Sequence, residues 1–262
     1  MNTDLKNKRA LVCGSTKGIG KAIAIELANL GANIVLLSRN EEELKKVKSE
    51  LSTEKGQIHS YLVADFNNPE QVSDIIDLFI SRQGNINILV NNTGGPAAGP
   101  LTTAKTEDFL KAINQHLICN HILSQACIEG MSRSDYGRII NIISTSVKQP
   151  LKGLGVSNTV RAAVANWSKT LATELAPKGI TVNNVLPGAT NTSRLTEIIS
   201  GKASKNQVSE EEIKKEMLKE IPLARFAEPL EIANAVAFLA SPAAAYITGI
   251  NLPIDGGRTS CL

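Results

Sequence analysis

The stretch Ala10-Leu11-Val12-Cys13-Gly14-Ser15-Thr16-Lys17-Gly18-Ile19-Gly20 decides how this chain is read. Its first four residues have the length and apolarity of a buried strand. After the last glycine, Ala22, Ile23, Ile25, Leu27 and Leu30 mark one face of a helix. Glycines between two such elements permit a tight turn, let backbone N–H groups approach a phosphate, and let the helix lie close to the sheet. A glycine triplet alone also fits an ordinary strand-to-helix turn. The strand before, the helix after and another strand about 20 residues on make Gly14, Ser15, Thr16, Lys17, Gly18, Ile19 and Gly20 a candidate dinucleotide-binding turn.

Outward from this turn the same unit repeats. Short apolar runs at Ala10 to Cys13, Asn33 to Leu37, Ile58 to Val63, Ile86 to Val90, Arg138 to Ile143, Thr181 to Leu186 and Gly249 to Pro253 alternate with longer stretches of helical period. That alternation predicts an α/β fold, a single-domain Rossmann-type doubly wound parallel seven-stranded sheet flanked by helices, over residues 1–262. The composition agrees. Of 262 residues 42% are hydrophobic, with only five Phe, three Tyr and one Trp, so the core is carried by Ala, Val, Leu and Ile. Such a chain buries enough apolar surface to exclude disorder.

Twenty-eight basic residues against 25 acidic ones leave no surplus to attract nucleic acid or an anionic membrane. No apolar run of about 18 residues is present, and the start Met1-Asn2-Thr3-Asp4-Leu5-Lys6 has no signal core, so the expected location is the cytoplasm. Cys13, Cys119, Cys127 and Cys261 have neither a zinc nor a redox spacing and are expected to be reduced and mostly buried. The polar segment from Thr192 to Pro222 breaks the rhythm. Within it Ser200 to Asn206 reads as loop, and Ser209-Glu210-Glu211-Glu212 reads as a capping box opening a charged helix to Glu220. Such an insertion suits a lid over a substrate site, or equally a solvated surface helix.

The second strand ends at Ser38-Arg39, where an NAD-selective fold places a carboxylate for the adenosine ribose. None is present. Lys17 and Arg39 are instead suited to a 2′-phosphate, which predicts NADP(H) in preference to NAD(H).

At this point the chain resembles the short-chain dehydrogenase/reductase family over nearly its whole length. The resemblance rests on Gly14 to Gly20, Asp65-Phe66, Asn91-Asn92-Thr93-Gly94, Asn141-Ile142-Ile143-Ser144, Pro187-Gly188 with Thr192, and Ile254-Asp255-Gly256-Gly257. It implies that Asp65 and Phe66 lie beside the adenine, and that Asn92, Thr93 and Gly94 lie beside the adenosine ribose. Pro187, Gly188, Thr190 and Thr192 would pass the nicotinamide. Here Thr93-Gly94-Gly95-Pro96 departs from the family's Asn-Asn-Ala-Gly pattern.

Ser144 matches the family's substrate-orienting serine. At the positions of its tyrosine and lysine, 13 and 17 residues later, this chain has Ser157 and Arg161, and at its asparagine position it has His116. The chain thus resembles 3-oxoacyl-(acyl-carrier-protein) reductase-like members in a divergent branch without that Tyr and Lys pair. An aliphatic hydroxyl is too weakly acidic to replace a phenol as proton donor, and a guanidinium stays protonated, although Arg161 retains the reach to hold the nicotinamide ribose. Two routes remain. His116 donates the proton, directly or through Ser157 or water, or else Ser144, Ser157 and Arg161 polarise the carbonyl while water supplies it.

The first functional reading is therefore an NADP(H)-dependent oxidoreductase acting on a ketone or secondary alcohol, a 3-oxoacyl thioester or sugar-like compound among them. The alternative is a catalytically impaired homologue that binds or senses a nucleotide or ligand. The resemblance also implies a homodimer or homotetramer paired through helices at Thr106 to Glu129 and Ser157 to Ala176, the latter rich in Ala162, Ala163, Ala165 and Ala172.

Overall fold

Leu11 and Cys13 point to one side of β1 (Arg9–Cys13), Ala10 and Val12 to the other, and all four are buried. A strand covered on both faces needs helices on both, which is why its sequence is a continuous apolar run. The computed structural model describes residues 1–261. In the first half β1 is followed by α1 (Gly18–Asn29), β2 (Asn33–Ser38), α2 (Glu41–Glu50), β3 (Ser60–Val63), α3 (Pro69–Gln83) and β4 (Ile88–Asn91). The second half contains α4 (Thr106–Ile113), α5 (Cys119–Arg133), β5 (Gly137–Ile142), α6 (Gly155–Leu175), β6 (Ile180–Pro187), α7 (Ser193–Asn206), α8 (Glu210–Lys219), α9 (Pro229–Ala240) and β7 (Asn251–Ile254).

All seven strands are parallel, in the order β3-β2-β1-β4-β5-β6-β7. The chain winds outward from β1 to β3, then returns to place β4 on the other side of β1. At that reversal the connections leave in opposite directions, and a crevice opens beyond the carboxyl ends of β1 and β4. One face of the sheet is covered by α1 and α9 through Ile23, Leu27, Ile232 and Val236, the other by α3 and α5 through Ile76, Phe79, Leu123 and Met131. No described helix is long and apolar enough to cross a membrane.

A row of asparagines runs through this apolar sheet. Asn91 Nδ2 donates to Asn141 Oδ1 at 2.8 Å, Asn141 Nδ2 to Asn184 Oδ1 at 3.0 Å, and Asn184 Nδ2 to Asn251 Oδ1 at 2.8 Å. The four residues are register partners on β4, β5, β6 and β7. Asn141 also donates to Ser168 Oγ of α6 at 3.2 Å. Buried amides are tolerated because each is paired with the next.

Three sequence expectations are corrected. Ser200 to Asn206 is helical, not loop: Leu195, Ile199 and Ala203, at four-residue spacing on α7, are buried with Ile213 of α8 in a small core of their own. The intervening polar residues and Gly201 hide that stripe. Ser209 and Glu212 do form the expected reciprocal cap. β3 begins at Ser60 because Ile58 is exposed and His59 turns inward, its Nδ1 accepting the Ile34 N–H at 3.0 Å in place of a strand partner. The expected helix from Thr106 to Glu129 is interrupted by a π turn at Asn114–Ile118.

Replacing Asn141 by Ala strips partners from buried amides on both neighbouring strands. The expected loss is about 3 kcal/mol in urea unfolding, and a loss below about 0.5 kcal/mol would show that the row carries no stability.

Candidate active site

On the β1 side, Gly14 and Gly18 have φ of +57° and +55°, and a Cβ on Gly20 would sit 2.1 Å from the Gly14 carbonyl oxygen. No other residue fits there. Asn92, just past β4, closes the turn from the opposite side: its Nδ2 donates to the carbonyls of Cys13 and Gly14 at 3.2 and 3.3 Å. Lys17 precedes α1 and offers no side-chain cap, so no capping side chain occupies the first-turn N–H groups. Lys17 and Arg39 are exposed, and neither is ion-paired with any described residue. Thr16 Oγ1 lies 3.4 Å from Ser38 Oγ and ties the turn to the end of β2.

Some of the expected contacts are turned away from the crevice. The Ser15 hydroxyl is buried and accepts from the Leu37 N–H at 3.1 Å, leaving only backbone to meet a ligand. The Phe66 ring is packed in the core with Val72 and Ile76. Asp65 accepts from the backbone and side chain of Asn67 at 3.0 and 2.9 Å, which fixes its carboxylate beyond β3.

On the β5 and β6 side, Ser144 starts the short 3-10 turn Thr145–Val147, and its Oγ accepts from the Ser146 N–H at 3.1 Å. That turn packs against α6. Ser157 is half-buried in the first turn of α6, and Arg161, one turn further, is buried with Nη1 donating to the Ile142 carbonyl at 2.6 Å. The π turn places His116 inside, 2% exposed, with Nδ1 2.5 Å from Thr93 Oγ1 and Nε2 without a partner. Burial and then the positive Arg161 hold the imidazole well below its usual pKa, so it is neutral at pH 7. Burial and then Arg194 pull Arg161 down to about 10, which still leaves it charged.

The two sides meet above the sheet. A Cβ on Gly188 would lie 2.7 Å from Asp255 Cα, so the chain can pass β7 only as glycine. Thr190 Oγ1 donates to the Gly188 carbonyl at 3.1 Å, and Thr192 caps α7 while its methyl group lies 3.1 Å from where a Gly18 Cβ would be. Arg194, in the first turn of α7, reaches back with Nη2 donating to the Pro96 carbonyl at 2.8 Å. That crossing contact was not foreseen, because nothing in the spacing of residues 96 and 194 pairs them. The three tyrosines lie elsewhere: Tyr61 donates to Glu41, Tyr136 to the Ala240 carbonyl, and Tyr246 is fully exposed.

Residues 14–259 match a protein family described as enoyl-(acyl carrier protein) reductase. The 3-oxoacyl-(acyl-carrier-protein) reductase of Haemophilus influenzae is 36% identical over 253 residues, covering 97% of this chain and 98% of the relative. The chain belongs to the short-chain dehydrogenase/reductase family. Within that family it is also similar to the NADPH-dependent reductase BacG of Bacillus subtilis, 30% identical over 254 residues and covering 97% and 98% of the two chains. Among solved short-chain dehydrogenase/reductase structures, the L-sorbose reductase of Gluconobacter frateurii complexed with NADPH and L-sorbose superposes with a TM-score of 0.93. It is 31% identical, with 100% of both chains covered.

The neutral His116 sets a pH dependence. Its folded pKa lies below the unfolded value near 6.5, so the unfolded state takes up the proton first and stability falls as pH drops below 6.5. Urea midpoints measured at pH 7.5 and 5.5 should fall further for the native protein than for His116→Asn, by about 1 kcal/mol in stability. Equal acid sensitivity would refute the assignment.

Proposed function

We propose that the protein is an NADPH-dependent ketoreductase that transfers a hydride to a ketone and returns a secondary alcohol. The observation that carries this reading is the pairing of a glycine turn, closed from β4 by Asn92, with two unpaired cations, Lys17 and Arg39, where a carboxylate would select NAD. The turn fits the dinucleotide physically, since Gly20 leaves the space that any side chain would fill and the first turn of α1 presents free N–H groups. When bound, NADPH supplies the hydride. Gly14 to Gly20 would hold its pyrophosphate, and Thr16, Lys17, Ser38 and Arg39 its adenosine 2′-phosphate. Asp65 and the backbone at Ser15 and Phe66 would border the adenine side, and Asn92, Thr93 and Gly94 the adenosine ribose. Arg161 would take the nicotinamide ribose, with Pro187, Gly188, Thr190 and Thr192 along the nicotinamide.

The remaining chemistry belongs to residues of the chain. Ser144 Oγ, held at the mouth of β5, orients the carbonyl oxygen, and the positive charge of Arg161 favours the alkoxide that forms there. Ser157 adds a hydroxyl on the same helix. His116 is neutral and bonded to Thr93, which suits a residue that positions the loop rather than an imidazolium donor. The proton that completes the alcohol then comes from water. The binding-module alternative is the weaker reading, because relatives matched over 97% of the chain are themselves reductases.

Helices α7 and α8, with their separate small core and the Arg194 contact to Pro96, form the lid over this cleft. For a homodimer or homotetramer, Leu110, Ile118, Ala162 and Ala163 supply an exposed face, whereas Ala165 and Ala172 are buried within the chain and are unavailable for helix pairing.

Two measurements test the reading. NADPH should bind at least about tenfold tighter than NADH, and Arg39→Asp should erase that gap; equal affinities in the native protein overturn the NADP assignment. In a screen of ketones, His116→Asn should keep the pH profile of turnover, and loss of a limb near neutral pH would restore histidine as the donor.

A further inference from the structure

Arg161 is a buried cation without a counterion. It is 8% exposed, its only hydrogen bond goes to the Ile142 carbonyl, its Nε has no partner, and no described carboxylate lies within 4 Å of it. Another cation, Arg194, adds to its positive surroundings: it reaches across the cleft to Pro96, next to the Gly95 backbone that Arg161 Nη2 approaches, and is balanced only by a partly exposed contact with Glu197 at 3.3 Å. The neutral His116 and the Gly95 backbone also lie near Arg161 and carry no negative charge. A buried guanidinium cannot discard its proton, so such an arrangement costs stability until an anion enters. Arg194 itself lies in the first turn of α7, a 14-residue helix whose N-terminal end carries a partial positive charge.

We infer that Arg161 and Arg194 together recognise a carboxylate carried by the substrate, so that the ketone reduced here is an oxoacid rather than a neutral ketone. This rests on the ketoreductase reading above and narrows its substrate class. The anion could in principle come from the cofactor phosphates. The phosphate-binding turn with Lys17 and Arg39 follows β1 and β2, whereas Arg161 and Arg194 follow β5 and β6; Thr192 nevertheless brings the start of α7 against Gly18 of that turn, so the titrations below separate the two sources. A carboxylate between two guanidinium forks would accept charge-assisted hydrogen bonds from both. Arg161, whose guanidinium has N–H groups beyond those that meet the Ile142 carbonyl and the nicotinamide ribose, supplies the fixed, buried donor, and Arg194 supplies the donor carried by α7.

The test uses equilibrium binding, so it does not depend on turnover. Protein saturated with NADP+ is titrated calorimetrically with aliphatic 2-, 3- and 4-oxoacids and with their methyl esters, for the native chain, Arg194→Gln and Arg194→Lys. At least one acid should bind about tenfold or more tighter than its ester, Arg194→Gln should erase that difference, and Arg194→Lys should recover part of it. The affinity for NADP+ should change less than about threefold in both variants. Equal binding of acid and ester, no binding of either, or a loss of NADP+ affinity that matches the loss of acid binding would each overturn the inference, the last by assigning Arg194 to the cofactor phosphates. A separate NADPH-oxidation assay on the acids that bind reports on the ketoreductase reading: binding without oxidation refutes that reading and leaves the anion site standing.

Discussion

The contact between Gly20 and the carbonyl of Gly14 governs the geometry of everything above the sheet. With no Cβ at residue 20, α1 starts close against the end of β1, and the Asn92 amide reaches the same carbonyl from β4. The closeness is possible only because β1 and β4 are hydrogen-bonded neighbours although separated by three crossovers in sequence. A bulkier residue at any of the three positions would push the helix off the strand ends and close the crevice. The reversal of the sheet supplies the space, and these three small or short side chains keep it open.

Electrostatically, the crevice is bordered by cations on both sides. Arg39 and Lys17 stand on one side, Arg161 and Arg194 on the other, and the intervening histidine is kept neutral by its surroundings. The three buried cysteines do not compete chemically: burial pushes Cys119 and Cys127 up to about 12 and Cys13 higher still, so none of the three is a thiolate at neutral pH. In the mechanism proposed above, a set of hydroxyls, cations and water acts on the polarised oxygen. That set stabilises charge by position, with no acid of matched pKa.

Much of this was legible in the sequence, for identifiable reasons. The strand and turn from Ala10 to Gly20 could be read because glycine placement and apolar period are local properties. The absence of a carboxylate after Leu37 and the Ser209 to Glu212 cap were legible for the same reason. Helix α7 was not, since its apolar stripe contains only Leu195, Ile199 and Ala203 and acquires meaning only against Ile213 of the next helix. Ser15 and Phe66 were read as ligand contacts, yet their side chains are occupied by β2 and by α3, contacts between elements that no spacing announces. The charge state of His116 was also out of reach, because it depends on burial in a π turn and on an arginine 45 positions away.

The asparagine row across β4 to β7 has a consequence for how the chain assembles during synthesis. Its amides emerge from the ribosome at residues 91, 141, 184 and 251, and each leaves a polar group waiting in an apolar layer until the next strand arrives. At β5 and β7, where the asparagine is flanked by Ile140 and Ile142 or by Ile250 and Leu252, a strand docked one residue out of step would turn its asparagine to the opposite face and leave the preceding amide unanswered. At those two strands the row therefore disfavours misaligned docking that hydrophobic burial alone would accept. Its last check is made only when Asn251 arrives.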